Sequence, residues 1–152
     1  TPQKVRNDPK LMNSEGILYL ADILDDNGVL YSKIGLTQKN TPEQRHKKYI
    51  FPVASTHHHL LDIAIAEEAL LKKTESYRPA NARFLKFPSL GAKANTEIRT
   101  YLDCQRLFGN KDEAKKKLED MVRKAKKYRP IQELSINAIN EITSSLEKNS
   151  DL

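Results

Sequence analysis

Arg45 and Tyr49 are the first residues in the chain whose types and spacing could carry out chemistry. They lie four positions apart, so on a helix both side chains would point from the same face. A guanidinium can make two charge-assisted hydrogen bonds to a phosphate. A phenol on the same face can orient water or phosphate by hydrogen bonding. The pair therefore predicts a cation and a phenol that point the same way.

Two predicted strands and a helix would position this pair. Asn27-Gly28 suits a type I′ turn, and the β-prone segments Ile17–Leu24 and Val29–Leu36 flank it, which predicts a hairpin. The segment Pro42–Ile50 has helix-start signals, with Thr41 as N-cap and a proline at the first helical position. Pro52 is expected to end that helix.

The segment from Gly16 to Tyr101, about half the chain, resembles the core of the GIY-YIG nuclease superfamily. The first motif corresponds to Gly16-Ile17-Leu18-Tyr19 and the second to Lys33-Ile34-Gly35, with Lys33 where the second motif has a tyrosine. This K-I-G form is similar to a branch found in phage and mobile-element proteins. The resemblance rests on the order and spacing of the motifs and implies that they occupy neighbouring antiparallel strands.

The resemblance also implies roles for individual residues. Arg45 and Tyr49 match the arginine and tyrosine of the next helix, and Tyr19 matches the tyrosine implicated as general base. A phenol with an ordinary pKa near 10 is a poor base at neutral pH, so a nearby cation must favour its ionised form, and Lys33 is the candidate. The implied catalytic set is Tyr19, Lys33, Arg45, Tyr49 and Glu68.

The superfamily's metal-binding glutamate lies on a later helix, predicted here over Ile65–Tyr77. Glu68 is the first choice for this ligand and Glu67 the second. The carboxylate would hold a single Mg²⁺ or Mn²⁺, whose shell of oxygen ligands is completed by water and phosphate. Glu97, in the sequence T-E-I-R, is a further acidic candidate, although Ile98 stands where the K-I-G branch has an aromatic residue.

Composition restricts the class of protein. A formal charge of +6 and a pI near 9.3 favour an acidic partner, and nucleic acid is the commonest one. No apolar run approaches the length of about eighteen residues that would suggest a membrane helix, so no membrane association is expected. Cys104 is the only cysteine, which excludes an intramolecular disulfide and is typical of an intracellular compartment, the cytoplasm or nucleoid, or a host cell if the protein is viral.

The remaining segments predict one further strand and three further helices. We expect a third strand over His58–Ala64 and a helix from Asn95 to Leu107 that ends at Gly109. Helices over Asp112–Tyr128 and Ile131–Leu146 each present an apolar stripe. These two helices should pack as a hairpin on the core, or against a second copy in a homodimer.

The charge distribution predicts where DNA would bind. The segment 111–129 holds nine basic and four acidic residues, and a second basic cluster lies beside the expected site. Such runs are also typical of solvated helix faces. The predicted nucleic-acid contacts are Arg45, Lys47, Lys48, Lys116, Lys117, Lys124 and Lys127.

Together these patterns predict an α+β fold with a three-stranded antiparallel sheet flanked by helices and followed by a helical hairpin. Residues 1–15 are expected to be a flexible lead-in, 16–108 a GIY-YIG-like nuclease domain and 109–152 the hairpin. The expected function is metal-dependent endonuclease cleavage of DNA. The alternative is a catalytically weak or inactive module of the same type that binds nucleic acid, with Lys33 and the basic helix contacting phosphates.

Overall fold

A four-stranded antiparallel sheet forms the centre of this α+β protein. The computed structural model describes residues 1–38, 49–88, 90 and 94–151. The strands are β1 (Glu15–Leu24), β2 (Leu30–Thr37), β3 (Ile50–His59) and β4 (Ile98–Thr100), in the spatial order β3-β1-β2-β4. The predicted hairpin is confirmed, because β1 pairs with β2 from Ile17–Thr37 to Leu24–Leu30. The expected number of three strands is wrong, since Ile98–Thr100 adds a fourth strand to the free edge of β2.

The third strand lies eight residues earlier than predicted. β3 runs from Ile50 to His59 and includes Pro52, whereas most of the predicted strand His58–Ala64 belongs to the next helix. Pro52 is tolerated because β3 is an edge strand, where a missing N–H need not break the ladder. The register between β1 and β3 shifts at this point, between Leu20 and Ala21.

Six helices are described around the sheet, and the longest cover one of its faces. They are α1 (Pro2–Arg6), α2 (Pro9–Met12), α3 (Leu60–Lys73), α4 (Tyr101–Phe108), α5 (Lys111–Ala125) and α6 (Ile136–Ile142). Short 3₁₀ segments span Glu75–Tyr77, Ala82–Phe84, Ala94–Glu97, Lys126–Tyr128 and Ser144–Asp151. None of the described helices has the length and apolar character needed to cross a membrane.

The main core lies between the helices and the sheet face that carries Leu18, Leu20 and Ile34. Helix α3 contacts β1, α5 and α6, and α5 also contacts β3. The opposite sheet face carries Ile17, Tyr19 and Ala21, because side chains alternate along a strand. The candidate catalytic tyrosine therefore lies on the side of the sheet away from the main core.

The apolar stripes of the two C-terminal helices are buried within the chain. Leu118, Met121 and Val122 of α5 and Ile142 of α6 belong to the main core. The helices therefore pack on the core, which was one of the two predicted arrangements. Each is shorter than predicted: α5 ends at Ala125, and α6 begins only at Ile136, where the Ser135 hydroxyl accepts a hydrogen bond from the Ala138 N–H.

The predicted N-terminal lead-in contains α1 and α2, and Val5 is buried in the main core. The Arg6 guanidinium donates hydrogen bonds to the carbonyl oxygens of Arg129 and Ile131. Arg129 in turn makes a bidentate ion pair with the fully buried Asp62 of α3 at 2.6 and 2.7 Å. These contacts join the first helix, the start of α3 and the connection between α5 and α6.

Candidate functional site

Tyr19 and Lys33 meet on the sheet face away from the main core. The Lys33 Nζ donates a 2.7 Å hydrogen bond to the Tyr19 hydroxyl oxygen and lies 4.9 Å from the centre of the Tyr19 ring. Both side chains are buried. Gly35 faces Tyr19 across the strand pair, and a Cβ at Gly35 would lie 2.6 Å from the Tyr19 oxygen and 2.7 Å from Lys33 Nζ. The K-I-G glycine is thus required by the close approach of these two side chains.

Glu97 completes a chain of three polar side chains. Its Oε2 lies 2.6 Å from Lys33 Nζ, in a salt bridge that is buried on the lysine side and partly exposed on the glutamate side. Burial alone would lower the pKa of Lys33, but the Glu97 carboxylate and the Tyr19 oxygen outweigh it and raise that pKa. Lys33 therefore stays charged while it lies between Tyr19 and Glu97.

Glu67 of α3 interacts electrostatically with two members of this chain, Lys33 and Glu97. Its side chain is 5% exposed, and among the residues that the structure describes Oε2 is buried without a hydrogen-bond partner. Burial, reinforced by repulsion from Glu97, raises the pKa of Glu67 to about 8, against the opposing effects of Lys33 and the Leu36 N–H. An unpaired, buried carboxylate oxygen beside a second carboxylate is a position that a cation would stabilise.

Glu68, the first choice from the sequence, is less closely connected to this cluster. It is partly exposed and lines an open cleft of about 280 Å³ together with Glu67, Thr96 and Arg99. Adjacent helix positions point about 100° apart, so Glu67 and Glu68 leave α3 in different directions. The electrostatic coupling to Lys33 and Glu97 belongs to Glu67, the second choice.

Arg99 fixes the positions of the two elements that carry the glutamates, and sequence patterns did not single it out. Its guanidinium is fully buried and donates to the Leu71 carbonyl oxygen and Thr74 hydroxyl at the end of α3. It also donates to the carbonyl oxygen of Thr96, next to Glu97. Burial lowers the pKa of Arg99, and the nearby Glu75 carboxylate opposes this effect. No sequence motif predicts such a buried arginine.

The predicted helix over Pro42–Ile50 is wrong at its C-terminal end. Tyr49 has a φ of 62°, outside the right-handed helical region, and Ile50 begins β3. The Tyr49 side chain is half exposed, and within the described part of the chain it makes no hydrogen bond to Tyr19 or Lys33. Arg45, Lys47 and Lys48 lie outside the described residues, as does the rest of that helix.

The lysines predicted to contact DNA on α5 are not equivalent. Lys116 is exposed, but Lys117 is buried and donates a 2.7 Å hydrogen bond to the Leu107 carbonyl oxygen. The Lys117 ammonium group is therefore already engaged by a backbone carbonyl of the same chain.

Two other predicted contact residues also have partners in the chain. Lys124 Nζ lies 2.8 Å from an Asp120 carboxylate oxygen and 2.6 Å from the Ser144 hydroxyl. Lys127, on the 3₁₀ turn that follows α5, lies 3.2 Å from Glu141. Both ammonium groups are at least partly neutralised by carboxylates of the same chain.

Across residues 1–38, 49–88, 90 and 94–151, no group of three or more His, Cys, Asp or Glu side chains is arranged to hold a metal ion. A metal at this site would therefore depend on one or two carboxylates together with water and substrate oxygens. Comparison with protein-family models, curated proteins and solved structures yields no match for the chain.

Proposed function

We propose that this protein is a metal-dependent endonuclease that hydrolyses DNA phosphodiester bonds with a site of the GIY-YIG type. The observation that carries the proposal is the hydrogen-bonded chain Tyr19–Lys33–Glu97 together with the buried carboxyl group of Glu67, which interacts electrostatically with Lys33 and Glu97. Two features agree with the sequence resemblance: the two motifs lie on paired antiparallel strands, and Gly35 packs against Tyr19.

In this proposal Glu67, assisted by Glu97, holds a single Mg²⁺ or Mn²⁺. Carboxylate oxygens suit these hard cations, and the unpaired Oε2 of Glu67 is the available donor. When bound, the ion supplies positive charge that stabilises the phosphate during hydrolysis. Because the pKa of Glu67 is about 8 without a cation, ion binding at neutral pH releases a proton from this carboxyl.

Tyr19 is the candidate general base, and the Lys33 ammonium, which donates a hydrogen bond to the Tyr19 hydroxyl oxygen, is the cation beside it. Glu97 holds Lys33 in place on its other side. Arg45 remains the proposed contact to the scissile phosphate, and Tyr49 the proposed group that orients water or phosphate.

The second candidate is a GIY-YIG-like module that binds nucleic acid with little or no turnover. The burial of Tyr19, at 1% exposure, and of Lys33, at 3%, favours it, because water must reach the Tyr19 oxygen for catalysis. Both candidates predict salt-sensitive DNA binding, since phosphate contacts release counterions. Turnover is what separates them.

The test is incubation of plasmid and branched DNA with the protein in Mg²⁺ or Mn²⁺, beside a chelator control. We expect cleavage by the wild type and loss of at least about a hundredfold in rate for Glu67→Gln, with DNA binding retained. Glu68→Gln is the matched variant on the same helix and should lose far less. A larger loss of cleavage in Glu68→Gln than in Glu67→Gln would assign the metal ligand to Glu68. DNA binding without cleavage by the wild type would favour the second candidate.

A further inference from the structure

A second cleft lies on the sheet face that carries Asp22 and Ser32, opposite to the face of Tyr19 and Lys33. It has a volume of about 350 Å³ and lies between β1, β2 and β3 on one side and α4 with the start of α5 on the other. Of the proposed nuclease residues that the structure describes, none lines it. The cleft is therefore separate from the candidate active site.

The walls of this cleft combine apolar, hydroxyl and amide side chains with two charged ones, Asp22 and Lys111. Val53 and Tyr101 are partly exposed and provide aliphatic and aromatic surface, with the buried Leu20 and Phe108 behind them. The Ser32 hydroxyl is buried and lies near the Cys104 thiol, whose pKa it lowers. Asp22 is half-buried and, within the described residues, its carboxylate has no hydrogen-bond donor or ion-pair partner.

Asp22 is thus a half-buried acid beside apolar side chains, and no hydrogen-bond donor or ion-pair partner among the described residues offsets its negative charge. Burial raises the pKa of Asp22, and the more distant charge of Lys111 opposes this effect without a direct contact. Cys104 is the other titratable group that interacts with Asp22, and burial raises the pKa of its thiol to about 12, so it supplies no charge at neutral pH. A ligand that brings its own positive charge would complete the site.

We propose that this cleft binds a small organic cation, an amidine or primary amine carried on an aryl or alkyl body. The charged group would bind the Asp22 carboxylate, for which an amidine offers two parallel donors. The apolar body would lie against Val53 and Tyr101, and its burial supplies the hydrophobic part of the affinity. The positive charge of Lys111 at the rim competes with the ligand.

The probe is benzamidine, with benzamide as its neutral counterpart of nearly the same shape, added to the 152-residue chain and followed by chemical-shift titration in ¹H–¹⁵N spectra. We expect saturable shifts from benzamidine at backbone amides around Asp22, Phe108 and Gly109, and binding by benzamide at least about tenfold weaker. Guanidinium alone, which lacks the apolar body, should also bind much more weakly. Equal binding of benzamidine and benzamide would overturn the proposal.

Two variants test the residues. Asp22→Asn should weaken benzamidine binding at least about tenfold, whereas Lys111→Gln should tighten it several-fold because a competing cation is removed. Asp112→Asn removes a negative charge from an exposed position beside Lys111 and should leave the affinity within about twofold. Unchanged affinity in Asp22→Asn, or weaker binding in Lys111→Gln, would overturn the proposal. If Asp22→Asn fails to fold, Lys111→Gln and the benzamide comparison still decide the outcome.

Discussion

Glu67 is the residue whose chemistry depends most on its surroundings. Its neighbour Glu68 has the same side chain, and the spacing of residues on one helix does not reveal which of the two interacts with Lys33. That difference depends on how α3 packs on the sheet. The contact between Lys33 and Glu97 spans 64 positions along the chain, so sequence spacing did not predict it either. By contrast, Tyr19, Lys33 and Gly35 were predictable, because strand pairing fixes their register.

The raised pKa of Glu67 makes the stability of the protein depend on pH. The folded state holds this proton up to about pH 8, whereas the unfolded chain releases it near 4.5. The unfolded state therefore binds fewer protons between these values, and the free energy of unfolding falls as pH rises through this window. Glu67→Gln should remove this decline, with a gain over the wild type on the order of 4 kcal/mol at pH 9, measured by urea unfolding at several pH values.

Mg²⁺ provides the control for that measurement. Binding to ionised Glu67 should stabilise the wild type more at pH 8 than at pH 6, and should have little effect on Glu67→Gln. If the wild type and Glu67→Gln lose stability in parallel as pH rises, the carboxyl group of Glu67 does not hold the proton. The proposal that its unpaired oxygen is a cation ligand then fails as well.

Gly35 should tolerate no side chain. Gly35→Ala places a Cβ against the Tyr19 oxygen and Lys33 Nζ, so we expect a loss of about 1–3 kcal/mol in unfolding free energy together with loss of cleavage. Gly28→Ala is the matched control: Gly28 has a φ of 77°, and a Cβ added there would have no neighbouring atom within 4 Å, so its cost of about 1 kcal/mol should leave cleavage unchanged. Retained cleavage in Gly35→Ala would remove the Tyr19–Lys33 pair from the mechanism.

At the scale of elements, the least predictable part was the passage from β3 into α3. A proline normally stops a helix or interrupts a strand. Pro52 was therefore expected to end an element, whereas it lies within β3. It is accommodated because β3 lies at the edge of the sheet, which is a property of the topology and not of the local sequence. Helix α3 then begins directly at Leu60, where the His59 side chain accepts a hydrogen bond from the Leu61 N–H.

The ion pair between Asp62 and Arg129 should hold the start of α3 against the connection between α5 and α6. Asp62 is fully buried, so Arg129→Met leaves its charge without this partner and should cost about 3 kcal/mol in unfolding free energy. The double variant Asp62→Leu with Arg129→Met should recover most of that loss, because no buried charge remains. Denaturant unfolding of the wild type, both single variants and the double variant checks this; additive losses would show that the pair contributes no coupling.

At the scale of the whole molecule, the net charge of +6 was evident from the sequence, but its distribution over the surface was not. The helical period predicted that α5 would have a basic face opposite its apolar stripe. The structure shows that lysines on this segment differ in availability, because some are used to join α5 to neighbouring elements. A basic run in sequence is therefore an incomplete guide to a DNA-binding surface.

If the segment 111–129 binds DNA, its exposed lysines should provide that affinity. Lys115, Lys116 and Lys126 are exposed, and their replacement by Gln should weaken binding to all sequences alike. The dependence of log affinity on log salt should also become shallower, by up to about 0.9 for each phosphate that the variant no longer neutralises. Fluorescence anisotropy with a labelled duplex at several salt concentrations measures both quantities.

The matched control replaces Lys124 and Lys127 by Gln, since these ammonium groups already face Asp120 and Glu141. Per charge removed, this pair should change the salt dependence less than the exposed lysines do, because carboxylates of the same chain compete with phosphate for them. Lys117 is kept in both variants, because its buried hydrogen bond to the Leu107 carbonyl oxygen makes it part of the fold. Unchanged affinity and salt dependence in the triple variant would move the DNA-binding surface away from α5, to the basic cluster of Arg45, Lys47 and Lys48.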